Sequence, residues 1–486
     1  MQTTTISEVH TVSHHPTVGP HHNLKESGKH DERIEMQVGS STSDSGAASI
    51  SDLKAQTKRQ RLRARVQFAT VCGSMYLAGW NDGTTGPLLP RIQKVYGLNF
   101  AVVSLIFVFA CVGFLSGAFA NLYLNGRFGF GKSPYHCSGS ACQVIAYAIE
   151  AGALPFPAFV LGYAINGFGM ALQDAQSNGF VASLKDNPEV KMGILHAVTV
   201  QCDGCSYLHF LGAGALSSPL VATQFAQLPH WSFHYLCSLG IAIINTVLLV
   251  AVFRLKTQDE CLAQSGQPVG EKGTSEKSQF NQILRLREVH LLAFFILIYV
   301  GVEVTVGGWM VTYIIDVRGG GSSSGYISSG FFGGLMIGRV GLLWVNKKAS
   351  FYPVRSMQYK SQRPQVGERR VLFIYSILAI GLELVVWLVP SLIGGGVAIS
   401  IIGIILGPMY PIAMNHTVRI LPGWLVTGSI GWIAGFGQAG SALLPFLTGA
   451  IASKTGIKSL QPFLVSMMAF MTVLWAFVPR TARKAE

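Results

Sequence analysis

The strongest constraint on this chain is a recurring one. From Val66 onward it returns repeatedly to apolar runs of about 20 residues, the length a helix needs to cross a hydrocarbon core of about 30 Å. Lipid offers no partner to a free peptide group, so runs of this kind must close their backbone hydrogen bonds internally, as helices. About twelve are read, beginning near Val66, Phe100, Ala141, Ala158, Gly193, Trp231, Val289, Gly325, Val371, Ser391, Gly423 and Ser459. The expected fold class is an all-α integral membrane protein. Composition agrees: of 486 residues, 50% are hydrophobic and only 12% charged, against about 25% charged in soluble domains.

The formal charge of +13 does not point to nucleic acid, because the basic residues flank apolar runs instead of forming a groove. Arg127 and Lys132; Lys185 and Lys191; Arg254, Lys256, Arg285 and Arg287; Lys347, Lys348, Arg369 and Arg370; and Arg419 follow alternate runs. The intervening loops hold fewer, chiefly Arg91, Lys94, Arg318, Lys454 and Lys458. Basic loops stay on the cytosolic side, so both termini are expected there, in a multi-pass protein of the plasma or vacuolar membrane. The organisation follows: a disordered tail over 1–65, a six-helix bundle over 66–256, a central cytosolic loop over 257–288, a second bundle over 289–479 and a tail over 480–486. Histidine doublets in the first tail, at 14–15 and 21–22, read as solvated. Eight cysteines are scattered without a disulfide framework. The CxxC spacing of Cys202 and Cys205 has no second pair, so neither a metal nor a cofactor is expected.

The two bundles echo each other, as in transporters built from repeats. Gly113, Gly117 and Asn125 share their spacing with Gly334, Gly338 and Asn346, and "GALSSP" at 214–219 matches "GSALLP" at 440–445. Together with "NGRFGFGK" at 125–132, these features resemble the major facilitator superfamily, over Val66 to Pro479. "GWNDGTTGPLLPRIQ", "LQDAQSNGFVASLK", "SSPLVATQFAQLPHWSFHYL", "SGYISSGFFGGL" and "GPMYPIAMNH" look like the fungal branch that includes bypass of stop codon protein 6. A more distant likeness is to the fucose permease group of proton-coupled sugar symporters. The resemblance implies two six-helix bundles rocking about a midplane site, with coupling acids in the first and fourth helices, where Asp82 and Asp174 stand. It also implies a gating loop at Arg127, Gly129 and Lys132, with Arg339 as its counterpart in the second bundle. The chain departs from that pattern at Gly126, where relatives carry an acid before the arginine. It departs again at 133–143, 199–211 and 349–365, which read either as divergence or as shifted coding segments.

Ionisable groups inside hydrocarbon are costly and mark function by default. Asp82, Asp174 and Glu303 lie well inside their runs and are the candidates for proton coupling and solute binding. A rival reading makes Asp82 the cap of a helix broken at Gly83 to Pro87. Amides and aromatics accompany the acids: Trp80, Asn81, Asn166, Gln173, Gln176, Asn178, Trp309, Tyr313, Tyr410, Asn415, Trp432 and Gln438. Amides satisfy hydroxyls and an indole covers the apolar face of a pyranose, so a sugar or another polyhydroxylated solute fits. Arg339 pairs with Glu303 or Glu383, contacts an anion or, as is commoner, snorkels to the interface. Glu150 and Glu383, in the third and ninth runs, are set aside as peripheral. The expectation is a monomeric, lipid-embedded secondary transporter that is not an enzyme and takes a small solute, with protons. A broad-specificity efflux transporter and a non-transporting receptor or scaffold are the alternatives.

Overall fold

The computed structural model describes residues 57–128, 134–184, 191, 210–254, 256–266, 282–350 and 366–479. Thr57 starts the first helix with a reciprocal cap. Its Oγ1 accepts from Gln60 N at 3.3 Å while Thr57 N donates to Gln60 Oε1 at 2.9 Å. From there α1 runs Lys58–Tyr96 and closes on Gly97, at φ 63°, where glycine takes the left-handed turn without strain. Then come α2 Phe100–Val103, α3 Leu105–Phe128, α4 Pro134–Ala151, α5 Phe156–Ala182, α6 Phe210–Ala226 and α7 His234–Phe253. A short α8, Gln258–Gln264, precedes α9 Arg287–Arg318, α10 Tyr326–Ser350, α11 Val366–Leu388, α12 Leu392–Leu406, α13 Met409–Ile420, α14 Gly423–Thr455 and α15 Leu460–Phe477.

Seven helical stretches among the described residues are long and apolar enough to cross a membrane: Phe100–Asn121, Trp231–Phe253, Arg287–Arg318, Arg369–Leu388, Leu392–Ile420, Trp424–Thr455 and Ile457–Phe477. The protein is therefore an all-α, multi-pass membrane protein. Outside this strict set stand α1, α4, α5, α6 and α10. Of these, α6 has 17 residues, and α1, α4 and α5 carry polar side chains that face other helices. The polar start of the third run, at 133–143, is a case in point, because Pro134–Ala151 is one helix. Ser140 Oγ and Thr246 Oγ1 are 2.6 Å apart, and Gln143 Nε2 donates to Asn166 Oδ1 at 3.4 Å. Its polar face is spent on α7 and α5 instead of lipid. The expected starts of the third, fourth and fifth runs shift as well. Helices α4 and α5 begin at Pro134 and Phe156, and α6 begins at Phe210, while Gly193 lies outside the described residues, as do 199–209 and 351–365.

Glycine decides how closely these helices approach. A Cβ on Gly113 would sit 1.9 Å from Ala164 O, and one on Gly117 2.6 Å from Phe168 O, which seats α3 on α5. A Cβ on Gly334 would meet Ser400 O at 2.2 Å, and one on Gly338 would meet Ile404 O at 1.9 Å, which seats α10 on α12. Gly214 lies on Tyr76 O of α1, at 2.1 Å, and Gly440 on Leu297 O of α9, at 2.0 Å, by the same measure. The glycines paired by spacing in the sequence thus serve the same kind of backbone crossing.

Contacts between α1–α7 and α9–α15 concentrate at the end that carries the Gly97 and Gly319 turns. A Cβ on Gly86 would sit 2.1 Å from Gly307 O. Phe100 and Phe107 pack on the ring of Trp309, which α14 holds in place by accepting from its Nε1 at Pro445 O, 3.0 Å away. Cys111 Sγ donates to Gln438 O at 3.2 Å, and Gln227 Nε2 to Ser322 O at 3.3 Å. Gln224 Nε2 donates to Tyr326 Oη. At the opposite end a separate apolar cluster joins Phe68, Val71, Met75, Phe180 and Phe253 to Cys261 and Leu262 of α8. That cluster draws only on α1, α5, α7, α8 and Leu184, so it closes one group without bridging to the other. Burial there pushes the Cys261 thiol up to about 11, with Glu260 adding to the rise.

Candidate functional site

Helix α1 runs unbroken through Asn81, Asp82 and Gly86 to Pro87. A continuous helix frees no run of amides there, which removes the broken-helix cap as the reason for Asp82. Its side chain is exposed, although Trp80 and Gly83 on either side are buried. Asp82 interacts electrostatically with Glu303 of α9, Arg339 of α10 and Asp174 of α5. Asp82 thus lies within electrostatic reach of both other sequence-predicted carboxylates, one in each group of helices.

On the far wall, Arg339 Nη2 donates to Glu303 Oε1 at 3.1 Å and reaches Oε2 at 3.5 Å. The two side chains are 19% and 18% exposed, so water still reaches the pair. Snorkelling, the commoner expectation for Arg339, gives way to this ion pair: a guanidinium inside the bundle is best satisfied by the carboxylate it faces. One turn before Glu303, Tyr299 donates to Leu406 O at 3.1 Å and stands 6.3 Å, centroid to centroid, from Tyr410. Tyr410 is within electrostatic reach of Asp174, Arg339 and Glu303. Asp174 Oδ1 accepts from Asn178 Nδ2 at 3.0 Å. Three carboxylates against a single guanidinium give the group an acidic balance suited to protons, hydroxyls or cationic solutes.

The other predicted residues divide by what they touch. Asn166 Nδ2 donates to Asn81 Oδ1 at 2.6 Å, and Gln176 Nε2 to Asn121 Oδ1 at 2.9 Å. Gln173 is buried, with Nε2 unpartnered among the described residues. Trp80 is buried, donates to Ser238 Oγ at 2.9 Å and stacks on His234 at 5.7 Å. Trp309 sits in the closed end, and the Arg318 guanidinium lies 5.7 Å from the Tyr313 ring centroid. Asn415 is exposed, Gln438 half-buried, and Trp432 packs on Phe436 and His290. Arg127 closes α3, whereas Gly129 and Lys132 lie outside the described residues. Sequence reasoning overlooked Tyr299, Asn121 and Gln143. The i, i+4 spacing of Tyr299 and Glu303 was the available signal for the first.

Two strings match enzyme motif spellings. Gly126–Ser133, "GRFGFGKS", spells a phosphate loop but follows a helix, where that motif needs a strand. Gly321–Gly325, "GSSSG", spells a nucleophile elbow but forms a helical turn between α9 and α10. Among the described residues no group of His, Cys, Asp and Glu is arranged to hold a metal.

Comparison with known proteins agrees with this architecture. The sequence is 24% identical over 431 residues to bypass of stop codon protein 6 of Saccharomyces cerevisiae, covering 84% of this chain and 81% of that one. It is 23% identical over 278 residues to the glucose/mannose transporter GlcP of Bacillus subtilis, covering 55% and 63%. The fold is similar to a crystal structure of a D-xylose-proton symporter, with TM-score 0.66 and 12% identity over 86% of this chain and 98% of that one. It also resembles a bacterial homologue of the human lysosomal transporter Spinster, inward-facing and unoccupied, with TM-score 0.62 and 12% identity over 87% and 97%. Residues 71–359 match the model of the Major Facilitator Superfamily, so the chain belongs to that family and is a secondary transporter that moves a small solute by alternating access.

Proposed function

We propose that the chain is a proton-coupled transporter of a sugar or another small polyhydroxylated solute, built as two halves of six spans each, α1–α7 with α2 and α3 as one span and α9–α15 with α12 and α13 as one span. The observation that carries this reading is the electrostatic grouping of Asp82 with Asp174 of its own half and with the Glu303–Arg339 ion pair of the other. Like charges gathered in a low-dielectric space repel one another. A proton taken up with solute removes part of that repulsion and lets the cavity close.

Support for the two-half plan comes from the paired glycine crossings, Gly113 and Gly117 beside Gly334 and Gly338, and Gly214 beside Gly440. Support for cytosolic termini comes from Lys58 to Arg65, Arg254, Lys256, Arg285 and Arg287, which cluster at the end away from the closed contacts. On that orientation the cavity opens to the cytosol. The sugar assignment rests on the amides that flank the acids and on likeness to proteins described as a D-xylose-proton symporter and a glucose/mannose transporter. The fungal branch is proposed on likeness to bypass of stop codon protein 6 of Saccharomyces cerevisiae, 24% identical over 431 residues.

The test is uptake into proteoliposomes of a panel of sugars, nucleosides, organic acids and drugs, with and without an inward-acid pH gradient. Expected is a sugar or polyol whose accumulation depends on the gradient. Asp82→Asn should abolish gradient-driven accumulation while solute exchange continues. Flux that ignores pH would defeat the coupling, and no flux from folded protein would favour a scaffold.

A further inference from the structure

Glu150, at the end of α4, takes no part in the cavity, yet it is the more isolated acid. It is 1% exposed, and neither carboxyl oxygen has a hydrogen-bond partner among the described residues. A Cβ on Gly162 would fall 2.9 Å from Glu150 Cγ and 3.3 Å from Oε1, so the carboxyl occupies space that glycine leaves open. The groups facing it are phenols: Tyr147 on its own helix, Tyr163 on α5 and Tyr235 on α7. The Tyr163 and Tyr235 hydroxyls are bonded to each other at 2.9 Å, and Tyr96 of α1 lies within electrostatic reach of both. The 231–233 turn that also packs on α4 adds no titratable group, and His234 turns its ring to Trp80 and Thr84. No cation acts on Glu150 among the described residues. A carboxylate without counter-ion or donor is very costly to bury, whereas the neutral acid is cheap.

Tyr147 joins this corner to the cavity. Its buried hydroxyl is turned to Asn166, and it interacts electrostatically with both Glu150 and Asp82. Water is near, because residues 152–155 after Glu150 are exposed. We propose that Glu150 is a second proton-binding site, filled from water at the α4–α5 turn, and that the charge on Asp82, felt across Tyr147, governs how firmly that proton is held. The step is simple protonation: one proton from water joins a carboxylate oxygen, and the reverse returns it. This inference rests on the reading of Asp82 as the coupling acid.

The experiment is infrared spectroscopy of the full-length protein in lipid nanodiscs through a pH titration in H2O and D2O, which needs no solute. Wild type should show a buried carboxylic C=O band that is absent from Glu150→Gln and displaced in Glu150→Asp, which keeps the proposal testable if the amide folds poorly. Asp82→Asn should move the pH at which that band disappears, and adding Tyr147→Phe should reduce the movement. Identical wild-type and Glu150→Gln spectra would overturn the site. A band lost with Glu150→Gln but indifferent to Asp82→Asn would overturn the coupling. Failure of the transport reading would appear in the flux assay, separately from either result.

Discussion

At the scale of single residues, the ion pair between Glu303 and Arg339 is the feature most open to test. Removing one partner leaves the other charge with only partial access to water, because each is under a fifth exposed. Arg339→Gln should therefore destabilise the protein by about 2–3 kcal/mol, less than a fully buried pair would lose. The double variant Glu303→Gln with Arg339→Gln should regain at least half of that loss, read as thermal unfolding in detergent. Asp82 and Glu303 were legible in the sequence because a carboxylate in an apolar run has few structural reasons to be there. The partner of Glu303 was legible only as one option among several, since a lone arginine near a helix end more commonly snorkels than pairs. The amides were ambiguous for a related reason. Nothing in spacing alone says that Asn166 bonds Asn81 while Asn415 remains exposed.

At the scale of helices, glycine contacts rank the crossings. Gly338→Ala places a methyl where a carbonyl oxygen lies 1.9 Å away, whereas a Cβ on Gly341, one turn on, meets nothing within 4 Å. The first substitution should cost about 1–3 kcal/mol or prevent folding. The second should be neutral or gain up to about 1 kcal/mol through helix propensity. Comparing the midpoints of thermal unfolding decides between them. A second expectation concerns Cys261: buried against Phe68 and Phe180, and with its thiol pushed up to about 11, it should resist maleimide at neutral pH until the protein is denatured. The existence of most helices was plain from apolar length. The boundaries of α4 and α6 were not, because a helix among other helices tolerates Ser140 and Gln143, which a lipid-facing one would not.

At the scale of the whole molecule, the two groups of helices are joined by contacts at one end, the one that carries the Gly97 and Gly319 turns. Cysteines at Gln227 and Ser322, whose polar atoms are bonded at 3.3 Å across that end, should cross-link when the native thiols have been blocked or replaced. The link should halt transport until a reductant breaks it. A cysteine at Asp82 should meanwhile stay reactive toward thiol reagents added on the open side. Free labelling of that position from the closed side in the cross-linked protein would contradict the single-ended cavity.

The crossing of α1 over α9 has one more consequence. There Gly86 approaches Gly307 O so closely that even a methyl has no room. A bearing made of main chain, flanked by Ser328 and Phe332 of α10, carries no group that ionises near neutral pH as the helices turn. Its friction is accordingly indifferent to acidity and to cargo, which leaves the timing of each cycle to the polar residues further along the same two helices.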